Sequence, residues 1–326
     1  AHRARATIVL GSATPSLESF ALVEKGKLEL LSLPERARSA AVLSKVEIVD
    51  IRRIGAGPSG EKLVSLPLHR ALEKTLAKKE QAILFLNRRG FAPSVVCASC
   101  GALETCKSCS VSLTFHRLRG RERVRCHYCG YEDALPTRCS SCRGGELLLE
   151  GLGTEKLEET LAASFPGARV ARLDRDVAAS GLGAEGILDR MRRGEIDVLV
   201  GTQMVTKGHD LPNVTLVGVI NADAALSMPD FRAAERTFQL LVQVAGRAGR
   251  HDRPGLVVIQ TRSPEHPAVT FASKHDVAGF LAAELADRRE TRYPPLSRLA
   301  LVRIDATDER RCEDVARELA SVARAS

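Results

Sequence analysis

An α/β domain built on a mostly parallel sheet, with a small metal-binding module set into it, is the fold that the sequence predicts. Three observations predict it. Short apolar strands alternate with helical runs along most of the chain, eight of the nine cysteines fall between Cys97 and Cys142, and the segments on either side of that block read as one unit. Strands alternating with helices give a parallel sheet covered on both faces. Such sheets bind ligands beyond the carboxyl ends of their strands. A chain of 326 residues has room for two domains, with the cysteine block as a smaller third body.

Taken in order, residues 7–10 read as a short apolar strand followed by the small-residue turn Gly11-Ser12-Ala13-Thr14-Pro15-Ser16, which opens a helix near Leu17. Residues 34–61 mix strand-like runs with a Gly/Pro-rich loop at 55–60 and read as a linker. Helical spacing over 66–79 leads to a buried strand at 82–86 and the polar turn Asn87-Arg88-Arg89-Gly90. The cysteine-rich insert occupies 95–150. Beyond it the sequence predicts a helix over 155–165, a strand over 169–173 and a helix over 184–193. Strands over 197–200 and 215–220, a helix over 232–244 and a strand over 256–260 follow. From Asp276 a further α+β segment is expected, helical to Arg292, with a strand at 300–304 and a helical run at 313–325. Opening on Ala1 and stopping inside that run, the chain reads as a fragment of a longer protein.

Net charge is +8 and the isoelectric point about 9.1, which favours an anionic partner. The longest apolar runs, around 82–86 and 215–220, are too short to span a bilayer, and no charged-then-apolar signal opens the chain. A cytoplasmic, membrane-free protein is the expectation. In a reducing compartment, adjacent C-x2-C pairs suit thiolate ligands better than disulfides.

The cysteines form four such pairs: Cys97/Cys100, Cys106/Cys109, Cys126/Cys129 and Cys139/Cys142. Cys106/Cys109 and Cys126/Cys129 have the ribbon spacing in which two turns clamp one tetrahedral Zn(II) across a hairpin. The outer pairs then make a second site enclosing the first. This nested pairing is preferred, with sequential pairing as its rival. Gly101 and Gly130 directly follow their pairs, where a positive φ lets backbone N–H groups face the sulfurs. Four thiolates leave no open position, so both sites are expected to be structural. His116 and His127 are alternative ligands, and iron–sulfur ligation an alternative chemistry, each less well matched to the spacing. Between the inner pairs Arg117, Arg119, Arg121, Arg123 and Arg125 alternate. On a hairpin such spacing puts guanidinium groups on one face, suited to phosphates, although it equally describes a solvated hairpin.

Two further segments carry nucleotide chemistry. Residues 200–210 (VGTQMVTKGHD) follow a strand and offer the backbone donors of Gly201, the hydroxyls of Thr202 and Thr206 and the Lys207 cation to a phosphate chain. Residues 243–250 (QVAGRAGR) end a helix, with Gln243 at their start and Arg247 and Arg250 placed as arginine fingers for charge developing on a γ-phosphoryl group. Together with the 11–14 turn and the Asn87–Gly90 turn, in this order, they resemble motifs III, IV, V and VI of superfamily 2 helicases. With the eight-cysteine insert after FLNRRGFAP (85–93) and the GLGTE segment (151–155), nearly all of the chain resembles the PriA family of primosomal replication-restart helicases.

That resemblance implies a RecA-like helicase lobe 2 over 62–94 and 151–262. It further implies the trailing part of lobe 1 over 1–33, a two-zinc insert, and the truncated start of a C-terminal domain over 263–326. It implies an enzyme that moves 3′ to 5′ on DNA by ATP hydrolysis with Mg(II), binds stalled forks and single-stranded DNA, and engages primosome proteins and the single-stranded-DNA-binding protein. By the same resemblance Cys97, Cys100, Cys139 and Cys142 hold one Zn(II), and Cys106, Cys109, Cys126 and Cys129 the other. Arg247, Arg250 and Gln243 fall on the catalytic motif, while Gly201, Thr202, Lys207, Gly208 and Asp210 fall on nucleotide-contacting positions. Ser12, Thr14, Arg88, Arg89 and Thr206, with Arg119, Arg121 and Arg123 of the hairpin, are the candidates for DNA contact or coupling. No G-x4-G-K-[S/T] loop is present: residues 55–62 read GAGPSGEK, with the lysine misplaced for a phosphate. The chain by itself is therefore expected to be inactive. A non-catalytic zinc-dependent DNA-binding or primosome-docking module is the alternative reading.

Overall fold

The computed structural model describes residues 6–33, 43–54, 57–58, 63–86, 94–97, 99–100, 102–108, 112–118, 121–126, 129–150, 154–178, 183–206, 211–226, 228, 230–249, 253–300, 302, 304 and 308–325. A six-stranded, wholly parallel sheet dominates them. Its strands are β1 (Lys45–Asp50), β2 (Gln81–Phe85), β8 (Val170–Leu173), β9 (Val198–Gly201), β10 (Val214–Val219) and β11 (Leu256–Thr261). They lie side by side in the order β1-β11-β10-β2-β9-β8.

Period-two alternation along each strand divides the core. Ile83 and Phe85 of β2, Val217 and Val219 of β10, and Val257 and Ile259 of β11 face one layer. There they meet α5 (Gly183–Arg192), α7 (Ala233–Ala245) and α8 (Pro267–Ser273). Ala82, Leu84, Val198, Val200, Leu216 and Val258 face the other, against α2 (Leu66–Ala77) and α3 (Thr154–Ser164). α2 starts where Ser65 accepts the Leu68 N–H and a proline occupies its first turn, an ordinary N-terminal stop signal. It packs close because β10 carries Gly218, where a Cβ would lie 2.5 Å from Leu84 Cδ2 and 2.8 Å from Leu68 Cδ1. The buried amide side chain of Gln260 is fully used: it accepts from the Ser65 N–H and donates to the Leu63 and Ile220 carbonyls.

The structure revises the expected boundaries in four places. Residues 7–10 form no strand: Ile8, Val9 and Leu10 are 61%, 83% and 69% exposed, with no neighbouring strand among the described residues to complete them. The stretch read as a linker supplies β1, an edge strand paired along its whole length with β11. Residues after 262 do not begin a separate body at once. α8 and α9 (Val277–Glu290) enter the main core through Ala268, Val269, Ala272 and Phe280, with Phe280 stacked on Phe238 of α7 at 4.0 Å. Finally, Ala300, Val302 and Ile304 belong to no strand, while α10 (Glu309–Ala325) matches the expected closing helix.

The cysteine-rich insert is a second sheet, antiparallel and five-stranded. Its strands are β3 (Ser94–Cys97), β4 (Thr114–Leu118), β5 (Arg121–Arg125), β6 (Glu132–Ala134) and β7 (Leu147–Glu150), ordered β6-β5-β4-β3-β7. Ser94 pairs with Glu150, so the chain enters and leaves the module side by side. That is how a body can be set between β2 and α3 without disturbing the parallel sheet. Its core is small, built from Val95, Leu113, Phe115, Val124 and the buried Cys106 and Cys126. A core of that size calls for added cross-links.

Candidate metal centre and nucleotide-facing elements

Two cysteine clusters supply such cross-links. Cys97 ends β3, Cys100 follows it, and Cys139 and Cys142 lie on the segment before β7; their four sulfurs all fall within 4.8 Å of one another. Cys106, Cys126 and Cys129 form the second group under the same limit, and Cys109 lies outside the described residues. Sulfur–sulfur distances are 3.6 Å for Cys97–Cys142, 3.7 Å for Cys100–Cys139 and 3.6 Å for Cys106–Cys129. A disulfide would need about 2.05 Å. Thiolates about 2.3 Å from a central Zn(II) stand on tetrahedron edges of about 3.8 Å, so the donor set fits that ion in size, charge and geometry.

The backbone around the outer cluster is arranged for anionic sulfur. Cys97 accepts the Cys100 N–H at 3.5 Å, and Cys139 accepts those of Ser141 and Cys142 at 3.3 and 3.5 Å. The Cys100 N–H holds the Cys97 thiol down to about 6, against the contrary effect of burial, and the Ser99 N–H and neighbouring thiols add to it. The Gly144 N–H likewise lowers Cys142. Two glycines serve the clusters in different ways. Gly130 has φ +76°, as its place after a pair predicts, and Gly101 is outside the described residues. Gly145, which sequence reasoning missed, would carry its Cβ 2.2 Å from Cys97 Sγ; only a missing side chain leaves room for the sulfur. His116 joins neither group, and His127 is outside the described residues.

On the β4–β5 hairpin, Thr114 pairs with Arg125 and Leu118 with Arg121. Val124 points into the core, so Arg121, Arg123 and Arg125 share the opposite face, as their spacing predicts. Arg121 and Arg125 are exposed. Arg123 is half-buried and lies 3.4 Å from Glu132 of β6, which removes part of the expected positive field. Arg119 and the side chain of Arg117 are outside the described residues.

Gly201 closes β9. A Cβ there would lie 2.3 Å from Val205 Cγ1 and 2.9 Å from the Leu173 carbonyl oxygen, so glycine lets the turn Gln203–Thr206 fold back on the strand end. The Thr202 carbonyl accepts the Val205 N–H at 3.1 Å. Lys207, Gly208, Asp210 and the Thr206 side chain are outside the described residues, as are Arg88, Arg89 and Arg250.

Helix α7 connects the two remaining motifs. Near its start, Glu235 accepts the Leu17 N–H at 3.0 Å, and Gln239 donates to the Thr14 carbonyl at 3.4 Å. Ser12 accepts the Thr14 N–H at 3.1 Å, shaping the turn that is held there. Glu235 and Arg288 form a buried ion pair at 2.8 Å. At 13 residues the helix is about 20 Å long, and Gln243, exposed, and Arg247, half-buried, stand at its far end. That end lies by the amino ends of the strands: the Gly249 N–H donates to Val214, the first residue of β10. Gly201 and Thr202 sit at the carboxyl edge, so the described residues do not bring them together with Arg247. A cleft of about 620 Å³ at the amino edge is lined by Lys79, Gln81, Arg169, Asp197 and Asn213; none of the residues singled out from the sequence lines it. No described helix is long and apolar enough to cross a membrane.

Comparison with known proteins fits this geometry. Residues 140–252 match the helicase conserved C-terminal domain, and residues 106–133 match the PriA DNA helicase Cys-rich region (CRR) domain. The chain is 44% identical over 319 residues to the replication restart protein PriA of Bacillus subtilis (strain 168), covering 98% of this chain and 39% of that protein. The homologue from a Synechocystis species is 43% identical over 319 residues, covering 96% and 38%. That of Treponema pallidum (strain Nichols) is 42% identical over 313 residues, covering 96% and 46%. The chain thus spans less than half the length of each of these relatives.

Proposed function

The chain belongs to the PriA family of replication restart proteins, and on that premise we propose that it serves an ATP-dependent 3′–5′ DNA helicase that recognises stalled forks and initiates primosome assembly. In this reading the parallel sheet is the second motor lobe, and the turn at 11–16 is the edge of the first. Arg247 and Arg250 neutralise charge on the transferred phosphoryl group, with Gln243 opening their motif, and ATP is bound with Mg(II). Gly201, Thr202, Lys207, Gly208 and Asp210 face the nucleotide. Ser12, Thr14, Arg88, Arg89 and Thr206 contact DNA or couple its grip to nucleotide state. Fork DNA, single-stranded DNA, primosome proteins and the single-stranded-DNA-binding protein are the partners.

Two Zn(II) ions belong to the same reading, one held by Cys97, Cys100, Cys139 and Cys142, the other by Cys106, Cys109, Cys126 and Cys129. Bound there, each ion would supply a closed structural cross-link and no open coordination position. The module then holds Arg119, Arg121 and Arg123 towards DNA. The observation that carries the proposal is the pair of thiol clusters, the four-thiol one drawn from the cysteines that flank the other in sequence, in an insert whose first and last strands pair. The test is ATP turnover by the full-length protein. Arg247→Ala is expected to lower it by about a thousandfold or more; an unchanged turnover number removes the finger assignment.

A further inference from the structure

The end of α7 that carries Arg247 is held by a residue that none of the sequence motifs contains. Ser44 immediately precedes β1 and is 7% exposed. Its hydroxyl lies 2.7 Å from the Ala248 carbonyl oxygen and 3.1 Å from that of Ala245. These two carbonyls bracket Arg247. Ala245 ends the helix and its carbonyl also accepts the Ala248 N–H at 3.4 Å, Ala248 lies three residues past it, and a serine hydroxyl has one proton to give. Ser44 gives it to Ala248 at the shorter distance and shares it with Ala245.

The contact sits within a tightly built support. The Lys45 N–H donates to the Gly255 carbonyl at 2.9 Å, which fixes the start of β1 beside the chain leaving the loop. Gly249, at φ +65°, lies so close to Gly255 that a Cβ on it would be 2.2 Å from the Gly255 nitrogen. Its own N–H is taken by the Val214 carbonyl at 3.1 Å. From the opposite side, His275 Nε2 stands 3.1 Å from the Ser44 carbonyl oxygen. Gly255 and Val214 fix the far side of the loop. Ser44 holds the near side, where Arg247 stands two residues past the end of α7.

We propose that Ser44 is a positioning residue for Arg247, clamping the loop from the segment that leads into β1 so that the guanidinium is presented in one place. This deepens the finger reading above and rests on it. Group positioning in a transferring site is sensitive to small displacements, and a misplacement of about 1 Å costs up to about a hundredfold in rate.

The experiment measures ATP turnover and KM in the full-length protein carrying Ser44→Ala, Ser44→Thr, Arg247→Ala and the Ser44→Ala/Arg247→Ala pair, with thermal unfolding as the folding control. Ser44→Ala is expected to lower kcat about ten- to hundredfold with KM for ATP changed less than about twofold, and Ser44→Thr, which keeps the hydroxyl, to restore most of it. In the Arg247→Ala background, Ser44→Ala should cost nothing further, because two residues acting as a unit are not additive. Normal turnover in Ser44→Ala, or the same loss in both backgrounds, overturns the proposal while leaving the finger intact. Normal turnover in Arg247→Ala overturns both.

Discussion

Gly145→Ala puts the metal reading of the outer cysteine cluster to a steric test. The added Cβ would stand 2.2 Å from Cys97 Sγ, 3.0 Å from Ser99 Oγ and 3.1 Å from Ser99 Cβ. Non-bonded heavy atoms settle at about 3.5 to 4 Å, so the sulfur must retreat by more than about 1 Å. Zinc–ligand distances tolerate about 0.2 Å, which the retreat exceeds several-fold. Cys97 therefore leaves the coordination sphere, and the site falls from four thiolates to three. Losing a partner of a ligand costs about ten- to a hundredfold in metal affinity, and displacing the ligand itself should cost at least the upper figure. The neighbouring glycine supplies the control, since a Cβ on Gly144 meets nothing nearer than the Cys142 carbonyl oxygen at 3.9 Å. Zinc per chain by mass spectrometry, and release to a competing chelator, read the outcome. Gly145→Ala should lose about one of two equivalents while Gly144→Ala keeps both. Equal zinc content and equal release rates in the two variants would refute the reasoning.

Two further outcomes follow from charge. Arg288 and Glu235 are 1% and 3% exposed, so Arg288→Met leaves Glu284, 3.1 Å from the guanidinium, and above all the buried Glu235 carboxylate without their cation, and should destabilise the chain by about 3–5 kcal/mol. Adding Glu235→Gln removes that charge but keeps an acceptor for the Leu17 N–H, and chemical denaturation should show at least half of the loss recovered; no recovery would mean that the charge is not the cause. On the hairpin, Arg121→Ala with Arg125→Ala should flatten the dependence of log K for single-stranded DNA on log salt by about 1.4, at roughly 0.7 per phosphate contact. An unchanged slope would place the DNA contact elsewhere.

The reach of the sequence follows the range of each signal. The four C-x2-C pairs were legible because metal spacing is local, and the structure brings the outer two pairs together. The layered sheet was legible because residues 82–85 and 214–219 are buried on both faces and so read as continuous apolar runs. Edge strand β1 was not: with one side unpaired it is half-exposed along most of its length, and a polar, mixed composition next to a Gly/Pro-rich loop looks like a connection. Residues 7–10 misled in the opposite sense, since an apolar run announces a need for burial without naming what meets it.

The same limit explains why the end of α7 was only half read. Helical periodicity identified α9 but neither α8 nor the core that both join, because seven residues are too short to show a helical period and Phe280 would fit any apolar surface as well. Arg247 was visible through its glycine-spaced motif. What holds Arg247 was not, because one serine some 200 positions away has no spacing to betray it, and a second glycine at 255 acquires meaning only when Gly249 lies against it. Motif residues mark where chemistry is presented; the support that fixes their position is drawn from distant segments whose composition is ordinary. Supporting residues such as Ser44 and Gly145 are therefore found by asking which atoms lie against a motif residue, and each one turns a motif assignment into a variant whose effect must appear through its partner.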